Sequence, residues 1–400
     1  MDRRSLLKAA TGSLLASSAA LAPLARADLA PGALQSASLE ALPGKKPLIK
    51  RSYRPPNYET PLAALASPIT PNDEFFVRWH LANIPEIDAK EWRLAVGGDA
   101  AARPFDLTMD DLRSQFEPVE LVAVCQCSGN RRGLSDPHVP GVQWGYGAVG
   151  NARWRGVRLK DLLARAGVRA DAVEIAFRGG DAPPLDATPR FIKSIPIWKA
   201  LDGNALVAYE MNGTALPHWN GYPARIVVPG WTATYWMKQV INIEALTRPV
   251  QSYWVNTAYR IPKGLFPVID RFQSQESDTS TPITEMVVNS VITDPVDGAR
   301  VGRGKAITVS GIAWDGGYGI RDVEVSSDGG KSWETAELGT DLGKYSFRPW
   351  RIALSKAQRG RVVIMARATN TRGASQVQEL IFNAAGYHNN VPQRVNVEVV

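Results

Sequence analysis

Cysteine is almost absent from this 400-residue chain: there are two, Cys125 and Cys127, beside four scattered histidines, His80, His138, His218 and His388. Two cysteines in a chain of this size exclude a disulfide framework. There is no Cys-x-x-Cys-His run, so a covalently attached c-type haem is excluded, and the histidines show no zinc-type spacing. Beyond the N-terminal leader no stretch approaches the ~20 consecutive apolar residues of a membrane span. Charge of one sign is scarce as well. The formal charge is +7, but residues 1–27 hold four of the 46 Lys and Arg and one of the 39 Asp and Glu, leaving +4 for the remainder. So mild a balance does not point to nucleic acid.

The chain opens Met-Asp-Arg3-Arg4-Ser5-Leu6-Leu7-Lys8, continues through an Ala/Leu/Ser run and reaches Ala25-Arg26-Ala27. A charged start, a short apolar core and a small-x-small site make residues 1–27 a signal peptide. The arginine pair resembles the bacterial twin-arginine signal, which exports proteins already folded; an ordinary secretory signal with a chance pair is the plainer alternative. Cleavage after Ala27 and a periplasmic location are expected. The remaining length suggests two or three domains, and 44% hydrophobic residues suffice for real cores.

Residues 28–70 are rich in Pro and Ala and read as an extended lead-in lying on a domain surface. Phe75-Phe76-Val77 suits a short strand, on which Arg78 and His80, two apart, would share a face; a solvated Arg and a satisfied core His is the plain reading of that pair. Trp92 to Gly97 and Val173 to Phe177 read as strands. Leu107 to Phe116 reads as a short helix, and Leu159 to Ala166 as an amphipathic helix stopped by Gly167. Leu206 to Met211 reads as a strand entering an Asn-Gly turn. Strands and short helices intermix without a regular βαβ alternation, so the first ~280 residues are α+β. Near residue 275 a polar run, Gln-Ser-Gln-Glu-Ser-Asp-Thr-Ser-Thr, reads as a linker. Strands then recur about every ten residues, the pattern of a β-sandwich. The expected division is 1–27 signal, 28–275 catalytic domain with its lead-in, and 276–400 an immunoglobulin-like sandwich with no catalytic cluster of its own.

Residues 121–133, Leu-Val-Ala-Val-Cys-Gln-Cys-Ser-Gly-Asn-Arg-Arg-Gly, organise the rest. An alternating Val/Ala strand delivers thiols to a Ser-Gly-Asn turn followed by two arginines. Cys127 is a small core residue, a partner for Cys125 in a geometrically poor bridge, or a thiolate for a soft metal beside an oxyanion site.

Together these motifs resemble the sulfite oxidase family of molybdoenzymes, in its bacterial periplasmic sulfite dehydrogenase branch. Cys-Gln-Cys-Ser-Gly-Asn-Arg-Arg at 125–132 is similar to the family's molybdenum-binding signature, and Arg78-Trp79-His80 to its Arg-x-His segment. Ser194-Ile-Pro, Ala208-Tyr-Glu-Met-Asn-Gly213 and Gly221-Tyr-Pro-Ala-Arg-Ile-Val-Val-Pro-Gly230 resemble its cofactor-binding half, and the sandwich its dimerisation domain. The resemblance implies a molybdenum ion held by a pterin dithiolene (molybdopterin) and by Cys127, with Cys125 structural. It implies a sulfite pocket bordered by Arg78, Arg132 and the Tyr259 phenol, with His80 supporting the cofactor or those arginines. Phe76, Val77, Arg78, Trp79, His80, Asp181, His218, Arg225, Trp236, Met237 and Lys238 fall where the family contacts pterin and phosphate. Vertebrate members place His directly before the Gly-aromatic-Pro-x-Arg run, where this chain has Asn220, so either His218 or Asn220 would make that contact. No haem domain precedes the molybdenum domain, which implies a separate electron acceptor: a c-type cytochrome, as a second subunit in a heterodimer or as a soluble partner of a homodimer. The implied reaction is oxidation of sulfite to sulfate. An envelope sulfoxide reductase is the rival within the family; a Cys127 thiol hydrolase and a non-catalytic surface protein are rivals outside it.

Overall fold

The computed structural model describes residues 39–267, 270–354 and 359–400. The signal peptide expected at 1–27 lies outside the described residues, as does the start of the lead-in.

The lead-in is folded, not laid on a surface. Leu39–Glu40, Leu48–Ser52, Asn57–Glu59 and Val77–Arg78 form one antiparallel four-stranded sheet. Its small core is Leu48, Tyr58, Val77 and Trp79. Alternation explains the sorting: Val77 and Trp79 pack toward the lead-in, while Phe76, Arg78 and His80 point the other way. The lead-in thereby fixes which face of residues 76–80 is left for chemistry.

The domain behind it is strand-dominated, with short helices between two sheets. Pro118–Gln126 pairs antiparallel with Val149–Arg158 along its whole length, and Val149–Arg158 pairs on its other edge with Leu206–Met211. The second sheet runs Ile192–Pro196, Glu174–Gly179, Val240–Leu246, Leu94–Gly97, Phe105–Leu107, with one parallel pair, Val240–Leu246 beside Leu94–Gly97. Helix Met109–Ser114 begins at Thr108, whose hydroxyl accepts from Asp111 N while the Asp111 carboxylate accepts from Thr108 N. Helix Leu159–Ala166 buries Leu159, Leu162, Leu163 and Ala166, the i, i+3, i+4, i+7 stripe, and ends at Gly167 with φ +63°.

The sandwich begins at Asn289. One sheet is Asn289–Asp294, Ile307–Trp314, Arg348–Leu354, Glu337–Leu338; the other is Ala299–Val301, Arg394–Val399, Gly360–Asn370, Ile320–Ser326, Glu334–Thr335. Val309, Val323, Trp350, Ile364 and Val397 lie in the core between them. The polar run near 275 is not a free linker, because Gln275 is buried and its Nε2 donates to both carboxylate oxygens of Glu174, at 2.9 and 3.0 Å. Ser280–Pro282 then pairs back onto Arg260–Pro262.

The two parts are tied at the thiol strand. Val124 N donates to Tyr345 O at 2.8 Å, and Trp314 Nε1 donates to Gln126 Oε1 at 2.6 Å. Arg131 is buried and donates to Ser290 O at 2.6 Å and Val391 O at 2.9 Å, with its guanidinium 4.9 Å from the Tyr146 ring centre. Of the two arginines that suggested an anion site, the first is a staple between domains.

Candidate active site

The thiol strand ends in a cavity of about 450 Å³, counting its open mouth, lined by Phe75, Phe76, Arg78, His80, Cys125, Cys127, Ser128, Trp219, Asn220, Arg225, Ala233, Thr234, Lys238 and Tyr259. Cys125 and Cys127 are two apart on or just past the strand, and both thiols are free and face this cavity. They differ in what holds them. Cys125 Sγ accepts from Arg225 Nη2 at 3.9 Å, and burial raises its pKa against the pull of that guanidinium. Cys127 is fixed through its backbone: its N donates to Ala148 O at 2.9 Å and its O accepts from Asn130 N at 2.9 Å.

Opposite the thiols stands Tyr259, at φ +61°, a left-handed conformation that a bulky residue adopts only when its surroundings impose it. Its hydroxyl is hydrogen-bonded to His80 Nε2 and lies 3.5 Å from Arg78 Nη2. Burial raises the Tyr259 pKa, although Arg78 and Arg132 pull the other way, so the phenol keeps its proton. The His80 ring stacks on Phe191, 3.7 Å between centres, and burial followed by the charges of Arg78, Lys238 and Lys193 holds its pKa well below the usual range. It is a neutral imidazole that orients a phenol. Arg78 is anchored by Nη1 to Asn57 Oδ1 at 3.2 Å and to the Trp79 carbonyl, which turns Nη2 to Tyr259. Lys193, buried behind, places its ammonium 5.1 Å from the Tyr259 ring centre and donates to Trp254 O at 2.7 Å.

The deeper wall is cationic. Arg225 donates to Asn220 O at 2.8 Å and Trp236 O at 3.2 Å, and Lys238 sits 4.4 Å from the Trp79 ring centre. Burial lowers the Lys238 pKa and raises that of Asp181, and each group's charge partly offsets the shift of the other. Lys45, from the lead-in, donates to Phe75 O at 3.0 Å, Asn72 O at 2.5 Å and Asn220 Oδ1 at 2.6 Å. Three acceptors use all three ammonium protons, and they lock Asn220 in the cavity wall.

Residues 80–254 match the family described as the oxidoreductase molybdopterin binding domain, and residues 280–400 the Mo-co oxidoreductase dimerisation domain. The mitochondrial sulfite oxidase of Rattus norvegicus is 36% identical over 374 residues, covering 90% of this chain and 67% of that protein. The chain belongs to the sulfite oxidase family. Sulfite oxidase of Gallus gallus is 37% identical over 312 residues, 76% of this chain and 66% of that one. The chain thus spans about two thirds of the length of these curated relatives. In the crystal structure of the sulfane dehydrogenase SoxCD from Paracoccus pantotrophus, a chain 27% identical matches 90% of this one and 88% of its own length, with a TM-score of 0.75.

A molybdenum oxidoreductase of the sulfite oxidase family takes molybdenum molybdopterin, and the cavity fits it. Ser128 Oγ, Thr234 Oγ1 and Arg225 Nε are buried without a hydrogen-bond partner among the described residues, the state expected of donors reserved for a polar ligand. Among the described residues no group of three or more His, Cys, Asp or Glu gathers to hold a metal; Cys127 would offer the metal a soft thiolate, and the pterin would supply the other sulfur ligands. Arg225 and Lys238 are suited to its phosphate.

Of the residues expected from the family resemblance, Phe76, Arg78, His80, Cys127, Arg225, Lys238 and Tyr259 come together in this wall. Val77 and Trp79 do not, because they alternate into the lead-in core. Trp236 donates to Val228 O and Trp231 O, and both it and Met237 are core residues. His218 is half-buried, set edge-on to Trp219 and outside the wall, whereas Asn220 lines it. Asp181 stands behind Lys238. Arg132 is set back: its Nε donates to Ala385 O at 2.7 Å and its Nη1 to Val142 O at 3.2 Å, although its charge reaches Tyr259. Phe75, Cys125, Ser128, Trp219, Ala233 and Thr234 were not expected to line it. For Cys125, two before Cys127, the strand period carried the signal; Phe75 is out of step with Phe76, Arg78 and His80 and lies before the strand Val77–Arg78, and for Ala233 and Thr234, in an irregular 3₁₀ turn at Ala233–Tyr235, no signal was available.

Proposed function

We propose that this chain oxidises sulfite to sulfate in the periplasm and passes the electrons to a c-type cytochrome. The observation that carries the reading is the pocket beside Cys127, whose wall brings Arg78 and the protonated Tyr259 phenol together. The cofactor supplies two-electron oxygen-transfer chemistry when bound; the chain supplies the substrate's position. Arg78 offers a charge and a fork of donors to a sulfite dianion. With Arg78 Nη2 and the Nε2–H of neutral His80 both donating to the Tyr259 oxygen, the phenol O–H is left to donate to the anion. The aromatic wall of Phe191 and Trp254 around His80 excludes water, which strengthens these bonds. Identity to sulfite oxidases supports the substrate, and the twin-arginine pattern at residues 3–8 supports export.

The deciding assay mixes cofactor-loaded enzyme, sulfite and cytochrome c without oxygen and follows haem reduction. Sulfite-dependent reduction that slows as salt rises is expected, because docking of two charged proteins is screened over about 8–10 Å. Oxygen consumption with peroxide and no cytochrome reduction would make the enzyme an oxidase. Reduction driven by a sulfane sulfur but not by sulfite would place it with the SoxCD-type reaction, and turnover of sulfoxides alone would favour the reductase.

Arg78→Gln is expected to raise the sulfite KM with a smaller fall in kcat. A charge-assisted bond contributes ~1.5–3 kcal/mol, or roughly ten- to hundredfold. Arg132→Gln should raise KM less, since two backbone carbonyls already occupy that guanidinium. Steady-state kinetics that leave KM unchanged in both variants would remove the arginines from substrate binding.

A further inference from the structure

The C-terminal domain reaches the site through one turn. Between Gly360–Asn370 and Arg394–Val399 the chain leaves the sandwich, and Tyr387 joins the core of the first domain, 7% exposed. Asn383 closes the turn: its Oδ1 accepts from Tyr387 N at 3.0 Å and its Nδ2 donates to Tyr387 O at 2.8 Å. Gly386, at φ +61°, lets the turn press in, since a Cβ there would lie 2.6 Å from Val139 Cγ2 and 2.8 Å from Arg132 Cγ. The Tyr387 ring lies parallel to Tyr259, 8° between planes and 5.8 Å between centres, and the Arg132 guanidinium carbon is 5.3 Å from its centre. Its phenol feels the charges of Tyr259, Arg132, Cys127 and Arg78, the same set that surrounds the substrate. Its hydrogen bonds among the described residues are those of its backbone alone.

We propose that Tyr387 is a second phenol of the oxyanion site, supplied by the C-terminal domain: its ring holds Tyr259 and Arg132 in place, and its hydroxyl donates to the bound anion. The inference rests on reading the pocket as a sulfur-oxyanion site. The ring is nearly buried while its hydroxyl, without a hydrogen-bond partner among the described residues, reaches open space beside Arg132 and within the electrostatic influence of Arg78 and Cys127, a setting that suits a small anion. The parallel stack on Tyr259 explains why a turn of the sandwich is fastened so firmly to the first domain.

Tyr387→Phe keeps the ring and removes the donor. In the cofactor-loaded protein it should raise the sulfite KM and the sulfate Kd roughly five- to tenfold, the loss expected for one hydrogen bond. kcat should fall by less, and the melting temperature should stay near that of the parent. Tyr387→Leu also removes the stack and should lower kcat as well, because Tyr259 and Arg132 lose their support. Sulfate binding is read by calorimetry, which needs no turnover. Failure of the parent to oxidise sulfite therefore counts against the proposed function alone. A Phe variant that binds sulfate and sulfite as the parent does overturns the role of Tyr387, and a parent that binds no sulfate overturns both.

Discussion

Cys127→Ser is expected to abolish sulfite turnover and to lower the molybdenum content of the purified protein, while the chain still folds. The two consequences have separate causes. Cys127 is held by its backbone, N to Ala148 O and O from Asn130 N, so a serine of the same shape finds the same place. Its side chain faces the cavity, and there the change is chemical: a thiolate is a soft ligand, whereas a hydroxyl at neutral pH is neither ionised nor soft. Cys125→Ser is the control. That thiol faces the same cavity but already accepts from Arg225 Nη2, and a hydroxyl can take over that bond with modest loss of activity. Metal analysis and steady-state kinetics on both variants decide the matter. An inactive Cys125→Ser beside an active Cys127→Ser would reverse the ligand assignment.

Arg131→Met should destabilise the junction between the domains by about 2–4 kcal/mol. The guanidinium donates to one carbonyl at the start of the sandwich, Ser290, and one near its end, Val391, and it lies over Tyr146. Its removal takes the donor from one buried carbonyl, at ~1–3 kcal/mol, and from one part-buried carbonyl, at less. The gain from no longer burying a cation offsets part of that. The cost of the buried charge is real, since desolvation pushes the Arg131 pKa down to about 10, but the group stays protonated at neutral pH. Thermal unfolding monitored by calorimetry should show a fall of several degrees or a split into two transitions. A midpoint equal to that of the parent would show that other contacts carry the junction.

These expectations could be framed because much of the site is written in short-range pattern. The strand period at 76–80 puts Arg78 and His80 on one face, the family resemblance sets Phe76 and Cys127 with them, and all four line one cavity. Helix Leu159–Ala166 with its Gly167 stop was fully readable from an apolar stripe and a terminal glycine. What was not readable depends on contacts distant in sequence. Arg131 and Arg132 are adjacent and chemically equal, and only the positions of Ser290, Val391 and Ala385 separate a staple from a site-flanking cation. Lys45 lies 175 residues from Asn220, and nothing local marks it as the donor that holds that amide. Tyr387 sits in a segment whose neighbours alternate as sandwich strands, so local pattern assigned it to the sandwich rather than to the active site. His218 and Asn220 share one short 3₁₀ turn, His218–Asn220, in which a step of two residues decides between the wall and the half-exposed side.

The alternation at residues 76–80 sets a rule for how this stretch can change over time. Side chains there can be exchanged one by one, each at its own cost. A single inserted or deleted residue cannot be absorbed in the same way. It would rotate Val77 and Trp79 into the cavity and drive a guanidinium and an imidazole into the apolar pack of Leu48 and Tyr58. The length of this segment should therefore be far less negotiable than its composition. Libraries that vary codon count between Phe75 and Leu81 should yield almost no active clones, while point libraries over the same codons should yield many.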